Sequence, residues 1–417
     1  MITLALILVW LGYSALLYMA VFWLLVFLEK GTGDEIKPIK NYRTVTIAIP
    51  AYNEEKTIRE TIESALKLDY PKEKVEIIVI NDGSSDGTKF VVERIIRERK
   101  DRRIILINQI NQGKGAALNN ALKKASGEIF IPFDADSTIR EDALQRIIPE
   151  FDLEDMGAVL PLMKVKDPKN LLEKIQWCEY LINLFYKKLM SSLDCVSVAP
   201  GPFSAYRKSI IQKIGGFDEK NLTEDLEISL RLQKHHYKLK QLFSTEVYTN
   251  VPKTFKSFYR QRNRWYKGTI VNAFHYRQMA LNREYGDFAF IQMPRLIVES
   301  ALVLMLFIYL SYSSVIKPLV MKIYHLSLID YEISIPISNY LSSFRFIDLD
   351  ISNIFHGLAF SVVAILLIYY AHKHTKEPLR KYGLITIPAY LLSYSILAGI
   401  AIIGVFYDLA RGKVQKW

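Results

Sequence analysis

From Ile2 to Leu28 the chain carries no charged residue, and comparable apolar runs return only at Leu296–Ile316, Ile354–Ala371 and Leu384–Tyr407. As helices, such runs are of the length needed to cross a hydrocarbon core of about 30 Å. The stretch between, Glu29 to Asp287, is patterned like a soluble domain. This predicts a transmembrane helix over 1–28, a soluble domain over 29–250, a basic and aromatic interfacial segment over 251–290, and a membrane domain over 291–417 with about three helices. The first run lacks the basic start and small-residue cleavage site of a secretory signal. Lys30, Lys37, Lys40 and Arg43 follow it, and the positive-inside bias then places the soluble domain in the cytoplasm of a multi-pass cell-membrane protein. Four crossings would leave the C-terminus outside, whereas Arg411, Lys413 and Lys416 favour the inside, so the pattern leaves the last crossing open.

Within the soluble domain, short apolar runs alternate with helical periodicity. Val45–Ile49, Val75–Ile80, Ile104–Ile107 and Ile129–Phe133 read as strands. Between them, Ile58, Ile62, Ala65 and Leu66 mark one helix with Asn53 as its cap, Phe90, Val91, Ile95 and Ile96 a second, and Ala116–Ala125 a third. Strand and helix alternating in this way predict an α/β fold with a mostly parallel sheet, whose ligands collect at the carboxyl ends of the strands.

Composition narrows the class. Half of the residues are hydrophobic, including 21 Phe and 25 Tyr, which excludes a disordered chain. Two cysteines, Cys178 and Cys195, make no disulfide framework and read as small buried hydrophobes. The net charge of +11 alone would admit nucleic acid as a partner, but the uneven apolar pattern assigns the excess to basic flanks of membrane spans instead.

The predicted strand ends carry the candidate chemistry: Pro50-Ala51-Tyr52-Asn53-Glu54, then Asn81–Thr88, Asn111–Gly115, and Asp134-Ala135-Asp136. Each taken singly reads as a turn; four at one sheet edge read as a site. Two carboxylates two residues apart, Asp134 and Asp136, suit a hard cation that leaves positions open for phosphate oxygens. Lys114, between glycines at a helix start, suits a diphosphate, although the Gly-x₄-Gly-Lys-Ser/Thr spacing of a nucleotide hydrolase is absent. Asp225 opens a helix over Glu224–Gln233, where it serves either as a helix-start carboxylate or as a general base. Gln261, Arg264 and Trp265 fall on one helical face, offering a phosphate grip and a flat ring surface, on a segment whose Phe255, Phe258 and Tyr266 are expected to face lipid. Lys174–Leu193 fits an interfacial helix or a core helix. Arg295 and Glu299, one turn apart, fit a channel border or a snorkelling pair, and His235-His236 and His372-x-His374 read as surface residues.

The ordered set formed by Asn81–Thr88, the Lys114 loop, Asp134-Ala135-Asp136, Thr223-Glu224-Asp225 and Gln261-Arg262-Asn263-Arg264-Trp265 resembles the membrane-integrated processive family 2 glycosyltransferases, which include cellulose, hyaluronan, chitin-oligosaccharide and poly-N-acetylglucosamine synthases. The resemblance implies a GT-A type cytoplasmic domain and an inverting, metal-dependent transfer from a UDP-sugar. It implies that Asp82 contacts the uracil or ribose with Pro50, Tyr52 and Glu54 beside it. Lys114 would approach the diphosphate, Asp136 with Asp134 would hold Mg²⁺ or Mn²⁺, Asp225 next to Glu224 would be the base, and Gln261, Arg264 and Trp265 would border the acceptor and leaving diphosphate. Ala199–Arg207 is similar to the acceptor-lining stretch of hyaluronan synthases. Thr223-Glu224-Asp225 stands where those enzymes have Gly-Asp-Asp, a departure toward the poly-N-acetylglucosamine branch. The expected partners are a UDP-sugar, a polysaccharide or lipid acceptor, and membrane lipids, with an accessory subunit or self-association to complete a channel. Transfer of a single sugar to a lipid, or a non-catalytic nucleotide-sugar receptor, are the competing readings.

Overall fold

The computed structural model describes residues 34–298, 316–328 and 379–412, together with scattered positions between 10 and 26, at 308 and 312, and between 362 and 377. The chain first lays down β1 (Val45–Ala51), α1 (Ile58–Leu66), β2 (Val75–Asp82), α2 (Thr88–Glu98), β3 (Arg103–Gln109), α3 (Lys114–Lys124) and β4 (Ile129–Pro132). These follow the apolar runs, because β1, β2 and β4 are buried on both faces, β3 is half-buried, and each helix buries one stripe. There follow β5 (Thr138–Ile139), α4 (Ala143–Ile147), β6 (Met156–Val165), α5 (Leu171–Ser191), β7 (Ala205–Arg207), α6 (Lys208–Lys213), α7 (Glu224–Lys234), β8 (Lys238–Thr249), α8 (Phe255–His275), α9 (Lys317–Ser327) and α10 (Leu379–Ala410).

The strands form one eight-stranded sheet in the order β3-β2-β1-β4-β7-β6-β8-β5. The four β1–β4 strands are parallel, as expected, but β7 runs antiparallel to both β4 and β6, and β5 antiparallel to β8. The sheet is therefore mixed. Ile47, Ile49 and Ile62 belong to the core on one face, and Ile78, Leu118 and Phe130 to that on the other. A third cluster, with Trp177, Leu181, Phe185 and Leu226, binds α5 and α7.

Three local expectations change. Asn53 does not cap α1; Thr57 holds that position, while Asn53 takes a left-handed turn (φ 57°) and accepts a hydrogen bond from the Ser85 amide at 2.8 Å. Phe258 is fully buried rather than lipid-facing, because the Arg262 guanidinium stacks 4.8 Å from its ring centroid; Phe255 is exposed. Of the alternatives for Lys174–Leu193, the core helix is realised: Trp177, Tyr180, Leu181, Leu184, Phe185 and Leu189 are all buried.

Among the described residues one stretch, Ile385–Ala410 of α10, is long and apolar enough to cross a membrane. The expected spans 2–28, Leu296–Ile316 and Ile354–Ala371 lie largely outside the described residues, as does Glu299. Cys178 and Cys195 are buried free thiols.

Candidate active site

The site grows from the carboxyl ends of the strands. At the end of β2, Asp82 is buried, and its carboxylate accepts from the Gln109 amide group at 2.8 Å and from the backbone N–H of Gln112 and Gly113 at 2.9 Å each. Asp82 thus shapes the turn that launches α3 and its first residue, Lys114. The Pro50–Glu54 segment lies against the same edge: the Glu54 amide donates to Thr88 Oγ1 at 2.9 Å, and Tyr52 is exposed.

Lys114 Nζ lies 2.6 Å from Asp134 Oδ1 and 3.2 Å from Glu224 Oε1. Burial alone would lower its pKa, but Asp134, Glu224 and Asp225 outweigh burial and hold the ammonium above its usual range. The Ala199–Arg207 stretch closes over this contact. A Cβ at Gly201 would strike the Lys114 ammonium and crowd the Asp134 carboxylate, so a larger residue there would displace the Lys114–Asp134 contact. Two residues on, Asp136 is pushed up to about 6 by burial and by the charges of Asp134 and Glu54. Carboxylate charge here exceeds what Lys114 neutralises.

That donor set, hard oxygens carrying unbalanced negative charge, fits Mg²⁺ or Mn²⁺. Among the described residues no three His, Cys, Asp or Glu side chains converge into a protein-only cage. An aspartate pair would therefore share the ion with oxygens of a bound ligand.

Asp225 sits in the first turn of α7, where acidic residues are favoured, and its Oδ1 accepts from the Leu226 amide at 2.8 Å. Burial and the adjacent Glu224 carboxylate push it up to about 6, against Lys114 and Arg264. The helix is fixed behind it by the Ala199 amide donating to Ser229 Oγ at 2.8 Å. Helix α8 packs in front: a Cβ on Gly268 would fall within the Thr223 side chain, and Asn272 donates to Thr223 Oγ1 at 3.0 Å. Arg264 reaches back to the Leu222 carbonyl at 3.4 Å.

Lys114, Asp134, Asp136, Glu224, Asp225 and Arg264 thus form one linked group. Gln261 accepts from Arg262 at 2.6 Å, and half-buried Trp265 lies under the Arg262 guanidinium at 4.3 Å. Asp82 and Pro50 belong to the frame of the site.

Sequence reasoning passed over Arg262 and its partner Glu179, a buried ion pair joining α8 to α5. Arg262 stands inside the Gln261–Trp265 motif, yet its partner lies 83 residues upstream and no local spacing betrays it.

Residues 46–215 match the family model described as glycosyl transferase family 2. Poly-beta-1,6-N-acetyl-D-glucosamine synthase of Staphylococcus aureus (strain COL) is 34% identical over 227 residues, 54% of this chain and 54% of that protein. The probable glycosyltransferase YdaM of Bacillus subtilis (strain 168) is 31% identical over 279 residues, 64% of this chain and 65% of that protein. The chain therefore spans less than two thirds of the length of these relatives. Among solved structures, mannosyltransferase PcManGT from Pyrobaculum calidifontis, in complex with GDP-Man and Mn²⁺, aligns with a TM-score of 0.56 at 18% identity, covering 88% of this chain and 97% of that one. That likeness is one of fold, and with the family match it makes the mixed sheet GT-A-like.

Proposed function

We propose, from a chain whose residues 46–215 are a family 2 glycosyltransferase domain, that it moves N-acetylglucosamine from UDP-N-acetylglucosamine to a growing saccharide at the cytoplasmic face of a membrane, with inversion at the anomeric carbon. The observation that carries this reading is Asp225, a half-buried carboxylate with a raised proton affinity, held beside the Lys114–Asp134 pair and Arg264. The donor sugar is taken from the poly-N-acetylglucosamine synthase relatives, and the membrane setting from α10 together with the apolar runs of the sequence.

In this mechanism an acceptor hydroxyl enters hydrogen-bond reach of Asp225 and passes its proton to that carboxylate. The acceptor oxygen bonds to the anomeric carbon as the bond from that carbon to the diphosphate breaks, and UDP leaves. Lys114 and Arg264 face the charge that grows on the diphosphate. Asp136 and Asp134 would hold a divalent cation whose chemistry is neutralisation of the same diphosphate. Trp265 offers its ring to a sugar face.

Incubating the purified chain in lipid with a panel of labelled UDP-sugars and sizing the product tests the reading. UDP-N-acetylglucosamine is expected to be consumed into a ladder of lengthening products. Consumption of a different donor, or a product stopped at one sugar per lipid, overturns the corresponding part.

A further inference from the structure

Helix α5 is buried along most of its length, with one interruption. Asn183 is exposed and Ile182, Tyr186 and Lys187 are half-buried, whereas residues 175–181, 184–185 and 188–190 are buried. Glu179, Asn183, Tyr186 and Lys187 stand at i, i+4, i+7 and i+8, so they form one stripe along the helix. One end of the stripe is anchored to α8, because Glu179 pairs with Arg262, whose guanidinium covers Trp265. The other end reaches the candidate base: Asp225 is the carboxylate whose charge acts on Lys187. The stripe is therefore anchored at the Trp265 platform, with Lys187 within electrostatic range of Asp225.

Lys187 differs from the other cations here. Lys114 is paired with Asp134 and Glu224, and Arg264 is held by the Leu222 carbonyl. Lys188, the next residue, is committed to Asp34 and the Gln241 carbonyl. Lys187 makes no hydrogen bond or ion pair with any described residue, so its three ammonium hydrogens remain for a ligand. Tyr186 is fixed beside it by donating to Gln292 Oε1 at 3.3 Å, with Arg295 over its ring at 4.3 Å. A phenol ring, an amide and an ammonium along one stripe make a surface suited to a sugar ring, which offers an apolar face and hydroxyl or amide oxygens.

We infer that the Asn183–Tyr186–Lys187 stripe of α5 is the acceptor subsite, with Lys187 donating hydrogen bonds to oxygens of the acceptor sugar that presents its hydroxyl to Asp225. This rests on the proposed transfer to a saccharide and adds the residues that receive it. Burial lowers the Lys187 pKa to about 8, against the Asp225 charge that favours the ammonium.

The test uses the full chain in lipid nanodiscs, UDP-N-acetylglucosamine, and a β-1,6-linked N-acetylglucosamine tetrasaccharide as the acceptor probe. Lys187→Met is expected to raise the acceptor KM about tenfold, as befits loss of a charge-assisted hydrogen bond. Affinity for UDP, read by calorimetry, should stay within about twofold of the parent, a split that a merely structural role would not produce. Lys187→Arg should recover most of the acceptor affinity, and Asn183→Leu, at an exposed position, should weaken it too. An acceptor KM unchanged in these variants, or UDP affinity falling in step with acceptor affinity, overturns the inference. Should Lys187→Met not fold, Asn183→Leu and Lys187→Arg decide it on the same readings. A parent chain that does not use this donor, or an Asp225→Asn variant that transfers at the parent rate, overturns the functional reading itself, a separate outcome.

Discussion

Asp225 carries two expectations of opposite sign. A base must be unprotonated to accept the acceptor's proton, so kcat/KM should rise with pH through about 6 and then level, and Asp225→Asn should cut UDP release by about 10²- to 10⁴-fold. Stability should move the other way. Folding raises the proton affinity of this carboxyl above its unfolded value, so its stabilising contribution is complete below the unfolded pKa, about 3.9, and is lost as pH rises through about 6. Asp225→Asn should therefore melt at or above the parent's temperature at pH 7.5, with the advantage gone at pH 4, as differential scanning fluorimetry would read. A lower melting temperature at pH 7.5 would mean that the carboxylate holds the fold together. The candidate residues themselves were legible in the sequence because the chemistry demands particular side chains at strand ends. Their charge states were not, since those depend on Lys114 meeting Asp134 and Glu224 across 20 and 110 residues of chain.

At the scale of elements, β1, β2 and β4 and their helices were readable because strands buried on both faces are written as unbroken apolar runs, and the half-buried β3 keeps such a run at Ile104–Ile107. Strands β6 and β8 were not. Pro161 interrupts β6, and β8 carries Gln241, Thr245 and Glu246 as buried polar residues. Tertiary partners explain those exceptions: the Gln241 amide donates to the carbonyls of Leu160 and Pro161, where the register of the two strands shifts, and Glu246 accepts from Lys164. The same blindness hid the Arg262–Glu179 link between α8 and α5. Arg262→Met should cost about 3 kcal/mol in a denaturant or thermal titration, because it strands Glu179 as a buried unpaired charge. The double variant Arg262→Met with Glu179→Met should regain most of that loss. Gly268→Leu should push α8 off Thr223 and reduce kcat at least about tenfold while leaving UDP affinity near the parent value; an unchanged kcat would mean that the close approach of α8 is dispensable.

Over the whole molecule, polar ties fasten the sheet domain to α10 and to Thr375 and Glu377, which precede it in the chain. Lys267, fully buried, pairs with Asp408 at 2.8 Å. Lys164 meets Glu377 at 3.2 Å while donating to the Thr375 carbonyl, and the Trp177 indole donates to Glu377 at 2.6 Å. Asp408→Asn should lower the melting temperature by several degrees by removing the carboxylate that faces the buried Lys267 ammonium, and Lys164→Met should lower it too by stripping Glu246 and Glu377 of their shared cation; melting equal to the parent's would argue that packing alone suffices. The apolar spans were legible as composition, but which charges lock onto which helix was not, because partners over 140 residues apart leave no periodic trace. These ties also limit how the protein can be recombined with its relatives. A hybrid that grafts residues 34–292 onto a foreign C-terminal segment would leave Lys164, Trp177 and Lys267 facing strangers, so a functional swap must carry Thr375, Glu377 and α10 along with the sheet, as one heritable piece.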